Sequence, residues 1–372
     1  MTTQGPDAPT LALRQVHRAT AELRRGTPVL LRDPASGAGL MLVAMETVGA
    51  GALAELASLA AGPVALLLAP ARAAALLPGE AGDATDVVAL APPASLLDPA
   101  LLRSLADPTA ARLLPEPPRR VAAPPLAALA LTLAKLGRLL PALVVAPAPA
   151  VAPPALLEVN AADLAAYPTA IATSLRRVAE AAVPLADAPD ARIVAFRAAD
   201  GGIEHLAILV GQPEALAATG GAPLARVHSE CFTGDLLSSL RCDCGPQLRG
   251  AIARMAAEGD GVLLYLAQEG RGIGLVNKLR AYALQDTGLD TLDANRALGW
   301  GADERNFLVA ATMLRELHIP RVRLLTNNPE KVKALAACGI EVETREAHQI
   351  APNGVNDGYL ETKARRFGHL LA

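Results

Sequence analysis

Aromatic residues are scarce in this 372-residue chain, which has one Trp, four Tyr and four Phe, none of them before Tyr167. Cysteine is scarce too: there are four, all beyond residue 200. So few in so long a chain exclude a disulfide-stapled scaffold. Excess charge of one sign is also missing. The formal net charge of −3 argues against broad coating of nucleic acid, but leaves room for a phosphate-bearing small ligand held by local arginines. No apolar run reaches the ~20 uninterrupted residues of a spanning helix. The most apolar stretch, PPLAALALTLAKLGRLLPALVVAPAPAVAPPALL, is broken by Lys135 and Arg138 and crowded by prolines. The start has no basic segment followed by an apolar one, so no secretory leader is expected. These absences predict a cytoplasmic protein with no membrane and no nucleic-acid partner. A reducing compartment suits closely spaced cysteines that serve as metal ligands.

What is present is divided unevenly. Hydrophobic residues make up 52% of the chain, enough to exclude a disordered polyampholyte, and the length predicts two domains of roughly 150–200 residues. Of the 30 prolines, 24 fall in the first 190 residues, whereas five of the six histidines lie beyond residue 200. The chemistry is therefore expected in the second half. Short apolar runs alternating with Ala/Leu-rich helices predict an α/β architecture. In the first half the pattern predicts helices at residues 15–25, 53–60 and 126–140, with strands at 28–32, 40–44, 64–68 and 142–145. Residues 115–125 read as a loop, 160–182 as mainly helical, and 183–189 as the hinge, giving domains of 1–189 and 190–372. In the second half, strands are expected at 191–198, 205–210, 262–266 and 322–325, and helices at 248–258, 277–287, 304–317 and 331–337. Polar loops follow the strands at 262–266 and 322–325, an arrangement that places ligand contacts at helix N-termini.

The strongest single signal is HSECFTGDLLSSLRCDCGPQL, with Cys231, Cys242 and Cys244. Two thiols flanking one residue can face a common centre, and the third returns through a loop. Three thiolates without a fourth cysteine suit Zn²⁺ with an open position for water. Buried small hydrophobes or redox thiols are the alternative, which the polar neighbours Glu230, Arg241 and Asp243 disfavour; His228 is open as a fourth ligand or as pocket lining. Cys338 reads as packing. The second signal is YLAQEGRGIGL, in which Gly270, Gly272 and Gly274 surround Arg271. Glycines admit close backbone approach and the guanidinium can fork to phosphate oxygens. Asp303, Glu304 and Arg305 precede an apolar run that the acids could cap. The run Thr326, Asn327, Asn328, Pro329, with Lys331, reads either as a turn and cap or as a set of donors to a purine or phosphate. Trp300 reads as packing.

Together the runs RVHSECFTGDLLSSLRCDCGPQL, LLYLAQEGRGIGLVNKLRAYALQDTGLDT, ADERNF and LLTNNPEK resemble the GTP cyclohydrolase II family from about residue 192 onward. The resemblance implies opening of the GTP imidazole ring with release of formate and pyrophosphate. The product is 2,5-diamino-6-(5-phosphoribosylamino)pyrimidin-4(3H)-one, at the start of riboflavin biosynthesis. It implies Cys231, Cys242 and Cys244 as zinc ligands. It also implies GTP-binding positions at Arg226, Val227, His228, Ser229, Glu230, Gln247, Glu269, Gly270, Arg271, Thr291, Thr326 and Lys331. Asp303 resembles the family's proton acceptor, Arg305 its assigned nucleophile and Tyr282 an active-site tyrosine. Guanidinium is nearly always protonated, so Arg305 reads equally as a phosphate clamp. Mg²⁺ with the triphosphate and a homodimer are further family expectations.

The first half, through ATAELRRGTPVLLRD, LTLAKLGRLLPALVV and SLRRVAEAAVPL, resembles 3,4-dihydroxy-2-butanone 4-phosphate synthase. Where that family carries an acid-rich metal and substrate loop, this chain reads DPASGAGLML and keeps Asp33 alone; its His-Thr-Glu segment is replaced by AAPPLAAL. Losing those carboxylates removes hard-metal ligands and acid/base groups. The expectation is a two-domain α/β protein: a degenerate, inactive synthase-like domain followed by a mixed α/β cyclohydrolase domain.

Overall fold

A computed structural model describes residues 6–77, 87–116 and 118–370. The first five residues, part of the segment read for a leader, and residue 117 of the expected loop lie outside them. The chain divides into two compact units, Met1–Pro168 with Val276–Glu304, and Thr169–Leu275 with Arg305–Ala372. The division expected at residue 189/190 falls inside the second of these. No helix of the described residues is long and apolar enough to cross a membrane.

The first unit is built on β1 (Val29–Asp33), β2 (Ala38–Ala44), β3 (Ala65–Leu68), β4 (Val88–Ala91), β5 (Arg119–Val121), β6 (Ala142–Pro147) and β7 (Leu157–Asn160). They form one sheet in the order β5-β4-β3-β6-β2-β1-β7, antiparallel except for the parallel β1/β7 pair. Leucine, valine, alanine and methionine fill its core without one aromatic from its strands. The opening helix, Ala8–Arg25, starts earlier than its sequence pattern predicts, because Asp7 accepts from Thr10 N at 3.0 Å and Pro9 occupies a position that needs no amide donor. Gly26 closes it at φ 78°.

The second unit carries β8 (Arg176–Ala182), β9 (Arg192–Arg197), β10 (His205–Val210), β11 (Leu224–Ser229), β12 (Gly261–Leu266), β13 (Arg321–Leu325) and β14 (Glu341–Glu346). Their order is β14-β13-β11-β12-β10-β9-β8. Strands β12, β11, β13 and β14 run parallel to one another; β10 pairs antiparallel with β12, and β9 and β8 continue antiparallel. Side-chain alternation divides the apolar residues between two layers. Val262, Leu264, Leu266, Ala225 and Val227 pack with the helix Leu308–Glu316, while Leu263 and Leu224 pack with Ala251, Ile252 and Met255 of the helix Cys244–Glu258.

Residues 160–182 are helical over their larger, first part but not throughout. The helix Ala161–Thr173 ends, and β8 follows as an edge strand with every residue exposed. An edge strand exposed on both faces has no period-two apolar pattern to betray it. Arg177 and Glu180 on β8, with Arg192 and Glu214, form an ion-pair lattice across this edge, which also discourages pairing with another chain. The expected hinge is the turn joining β8 to β9, held by Val183 N to Ala191 O at 2.9 Å. The acids before residue 308 do not cap the next helix. Phe307 occupies the cap position, and Glu304 instead accepts from Gly301 N at 2.7 Å and Lys135 Nζ at 2.6 Å.

Candidate active site and metal centre

Strands β11, β12 and β13 run parallel, so their carboxyl ends reach one edge of the sheet. After β11 the chain passes to helix Cys244–Glu258 and β12 on one side, and from β12 it crosses to β13 on the other. A reversal of this kind opens a crevice beyond the strand ends where ligands are held. The loops there begin at Glu230, Ala267 and Thr326. Strand alternation also turns Arg226 and His228 of β11 to the same face as Leu224, toward the helix that starts at Cys244. They are 5% and 3% exposed.

The three sulfurs of Cys231, Cys242 and Cys244 lie within 4.8 Å of one another. Cys231 and Cys242 Sγ are 3.8 Å apart, the span of two ~2.3 Å metal–sulfur bonds at a tetrahedral angle. Gly234 forms the floor: a Cβ there would lie 2.7 Å from Cys242 Sγ and 3.0 Å from Cys231 Sγ. Sharing a hydrogen bond with Cys231 pushes the Cys242 thiol up to about 11, and contact with the other two sulfurs raises Cys244 as well. Crowded thiols resist ionising next to one another, and a cation that replaces their protons relieves that conflict. The group can hold a metal ion.

Buried partners fix the loops around it. Asp235 accepts from Cys231 N at 3.0 Å, Tyr265 Oη at 3.0 Å and His228 Nε2 at 3.1 Å. His228 is thus committed to Asp235 and stacks on Tyr265 at 5.7 Å between centroids; burial holds its imidazole below the ordinary value. Glu269 takes Phe232 N at 2.6 Å and Gly270 N at 3.0 Å, clamping the cysteine loop to the glycine loop. In that loop Gly270 and Arg271 are both left-handed, at φ 63° and 62°. Arg271 stacks on Phe367 at 3.8 Å, and its buried Nη1 has no hydrogen-bond partner. Arg226 donates to Leu325 O at 3.2 Å and to Gln247 Oε1, its Nε buried and unpartnered. Burial brings its guanidinium down to about 10. Lys331 Nζ donates to Val227 O at 2.8 Å, and Thr326 Oγ1 accepts from Asn328 N at 3.1 Å. Asn328 caps the following helix through Glu330 N at 2.9 Å. Ser229 Oγ is buried without a partner, and Glu230 N donates to Leu266 O at 2.8 Å. Arg305 lies 5.1 Å from the Phe307 ring.

The profile of the family described as GTP cyclohydrolase II matches residues 176–347. A GTP cyclohydrolase-2 from Azospirillum brasilense is 52% identical over 382 residues, covering 97% of this chain and 94% of that protein. The chain belongs to the GTP cyclohydrolase II family. Family members from Actinobacillus succinogenes (49% identical, 53% of this chain, 88% of theirs) and Escherichia coli O9:H4 (51%, 53%, 98%) match about half its length. Among solved structures, a two-domain 3,4-dihydroxy-2-butanone 4-phosphate synthase from A. baumannii is similar at 18% identity and TM-score 0.32, covering 90% of this chain and 99% of that one. A likeness that slight carries no conclusion.

Most residues singled out by resemblance to this family lie in the second unit. Tyr282, Thr291 and Asp303 lie in Val276–Glu304, grouped with the first. There Tyr282 has Lys278 Nζ 5.7 Å over its ring, Thr291 Oγ1 accepts from Gln285 at 3.2 Å, and Asp303 is exposed. Sequence reasoning missed Asp235, although its partners Cys231 and His228 are near in the chain, and Tyr265, Lys363 and Phe367, whose partners Asp235, Asp243 and Arg271 are distant.

Proposed function

We propose that this chain is a zinc-dependent GTP cyclohydrolase, opening the imidazole ring of GTP and releasing formate and pyrophosphate to leave the diaminopyrimidine. The carrying observation is the thiol triad over Gly234, on the sheet edge that also bears the EGRG and TNNP loops. All-thiolate donors suit Zn²⁺, and held there it supplies a Lewis acid that activates water for attack at guanine C8. The chain's own residues do the rest. Arg271 and Lys331 oppose the charge developing on the triphosphate, which Mg²⁺ accompanies. Arg226, Val227, His228, Ser229, Glu230, Gln247, Glu269, Gly270, Thr291 and Thr326 shape the nucleotide site. Asp303 accepts a proton from water, and Tyr282 donates a hydrogen bond to the transferring group. The Arg305 guanidinium lies beside Phe307, and an always-cationic group supports a phosphate clamp rather than a nucleophile. A cytoplasmic homodimer completes the reading. Incubating metal-replete protein with GTP and Mg²⁺ tests it: formate, pyrophosphate and the pyrimidine chromophore are expected, and intact GTP would overturn it.

The division of labour belongs to the same proposal: residues 1–189 as an inactive synthase-like domain and 190–372 as the catalytic one. Asp33, the acid kept in the replaced loop, accepts from Ser36 Oγ at 2.6 Å and Ala35 N at 3.1 Å, so its carboxylate holds its own turn. Ribulose 5-phosphate with Mg²⁺ should yield no butanone phosphate.

A further inference from the structure

The family profile ends at residue 347, yet the chain continues into a helix, Asp357–Phe367, that meets the metal centre. Asp243 sits between the ligands Cys242 and Cys244 and is 2% exposed. It occupies the cap position of the helix Cys244–Glu258, but its carboxylate makes no cap bond. Instead Oδ1 accepts from Lys363 Nζ at 2.6 Å and Oδ2 from Gln247 Nε2 at 2.6 Å. Lys363 is itself 7% exposed, with Tyr359 of the same helix 4.3 Å beneath its ammonium.

Two buried charges are costly to desolvate and persist only when paired and fully hydrogen-bonded. Here the pair is joined through Gln247 to the buried Arg226. The same C-terminal segment grips each loop of the crevice. Asn353 Nδ2 donates to Leu240 O at 3.0 Å in the cysteine loop, Phe367 covers Arg271, and Leu370 N donates to Asn327 O at 2.8 Å.

The geometry points to the C-terminal helix as a clasp of the metal centre, with Lys363 a positioning residue that holds the Cys242–Cys244 turn through Asp243. This rests on the metal-centre reading above. Lys363 touches no ligand sulfur; it orients the carboxylate between two of them and offsets the charge of the thiolates. Outer partners of this kind change metal affinity by about 10–100-fold when removed.

The test uses the full chain and Zn²⁺ alone, with affinities read by competition against a chromophoric chelator and ligand geometry read from the absorption of the Co²⁺ form. Lys363→Met should weaken Zn²⁺ about 10–100-fold and shift the Co²⁺ bands, and Lys363→Arg should recover most of both. Lys363→Met combined with Asp243→Asn should be no weaker than the weaker single variant, because both remove one bridge. Parent-like affinity and spectrum in Lys363→Met overturn the inference. If that variant does not fold, the double variant, which leaves no unpaired carboxylate, decides by the same criterion. GTP turnover by the parent is followed in parallel. A parent that binds Zn²⁺ but leaves GTP intact defeats the functional reading, while the Lys363 comparison still stands on its own.

Discussion

A methyl group at position 234 would sit 2.7 Å from Cys242 Sγ and 3.0 Å from Cβ of Cys244. Neither neighbour can yield without disturbing the triad. Gly234→Ala should therefore lower Zn²⁺ affinity on the order of tenfold or more while far-ultraviolet circular dichroism stays unchanged; full Zn²⁺ retention would refute the cradle. One buried histidine, His348, and one half-buried, His369, predict a pH response. Burial holds His348 below the ordinary imidazole value and His369 down to about 3. Such a group is neutral in the folded chain and takes a proton on unfolding, so its contribution is complete above about pH 6.5 and is lost as pH falls below that. Urea midpoints of metal-free protein should drop between roughly pH 6.5 and 5, before the carboxylates titrate, and His369→Asn should flatten that drop. Midpoints constant over this window would contradict the assignment. At this scale the sequence is legible where chemistry is local. Cys242 and Cys244 announce themselves by spacing. Tyr265, 30 residues from its partner Asp235, and Lys363, 120 residues from Asp243, do not.

Strands made of a continuous apolar run, such as β10 and β12, are legible in the sequence almost to the residue. Six strands escape it, among them β5 inside the stretch read as a loop; β11 and β8 do so for opposite reasons. β11 hides because it buries Arg226 and His228 among its apolar residues, and those polar positions are what the crevice uses. β8 hides because nothing on it is buried and its ion-pairing residues suit an exposed helix equally well. Its role is to cover the outer edge of β9. A fragment beginning at residue 169 keeps that cover, whereas one beginning at residue 190 leaves β9 as a bare edge, prone to pair with other chains. The longer fragment should remain soluble and the shorter one should aggregate, as light scattering during expression and refolding would reveal. Identical behaviour would mean that β8 is dispensable.

For the molecule as a whole, the skew in composition separates two kinds of unit. The first builds its sheet from aliphatic residues and turns its one retained loop acid to a local turn. The second concentrates sulfur, imidazole and buried cations at the ends of three parallel strands. Relatives that match about half of this chain do so over 88% or 98% of their own length. The discontinuous grouping of Val276–Glu304 was invisible in sequence, because contacts such as Arg280 with Glu46 at 3.0 Å and Asp107 at 2.8 Å depend on tertiary placement. The most direct measurement of the central claim is formate released from GTP while zinc-free protein is titrated with Zn²⁺. Ring opening should rise in proportion to metal, level off at one Zn²⁺ per chain and be abolished by Cys242→Ala. Ring opening by the zinc-free chain, or none at full Zn²⁺ occupancy, would contradict the account.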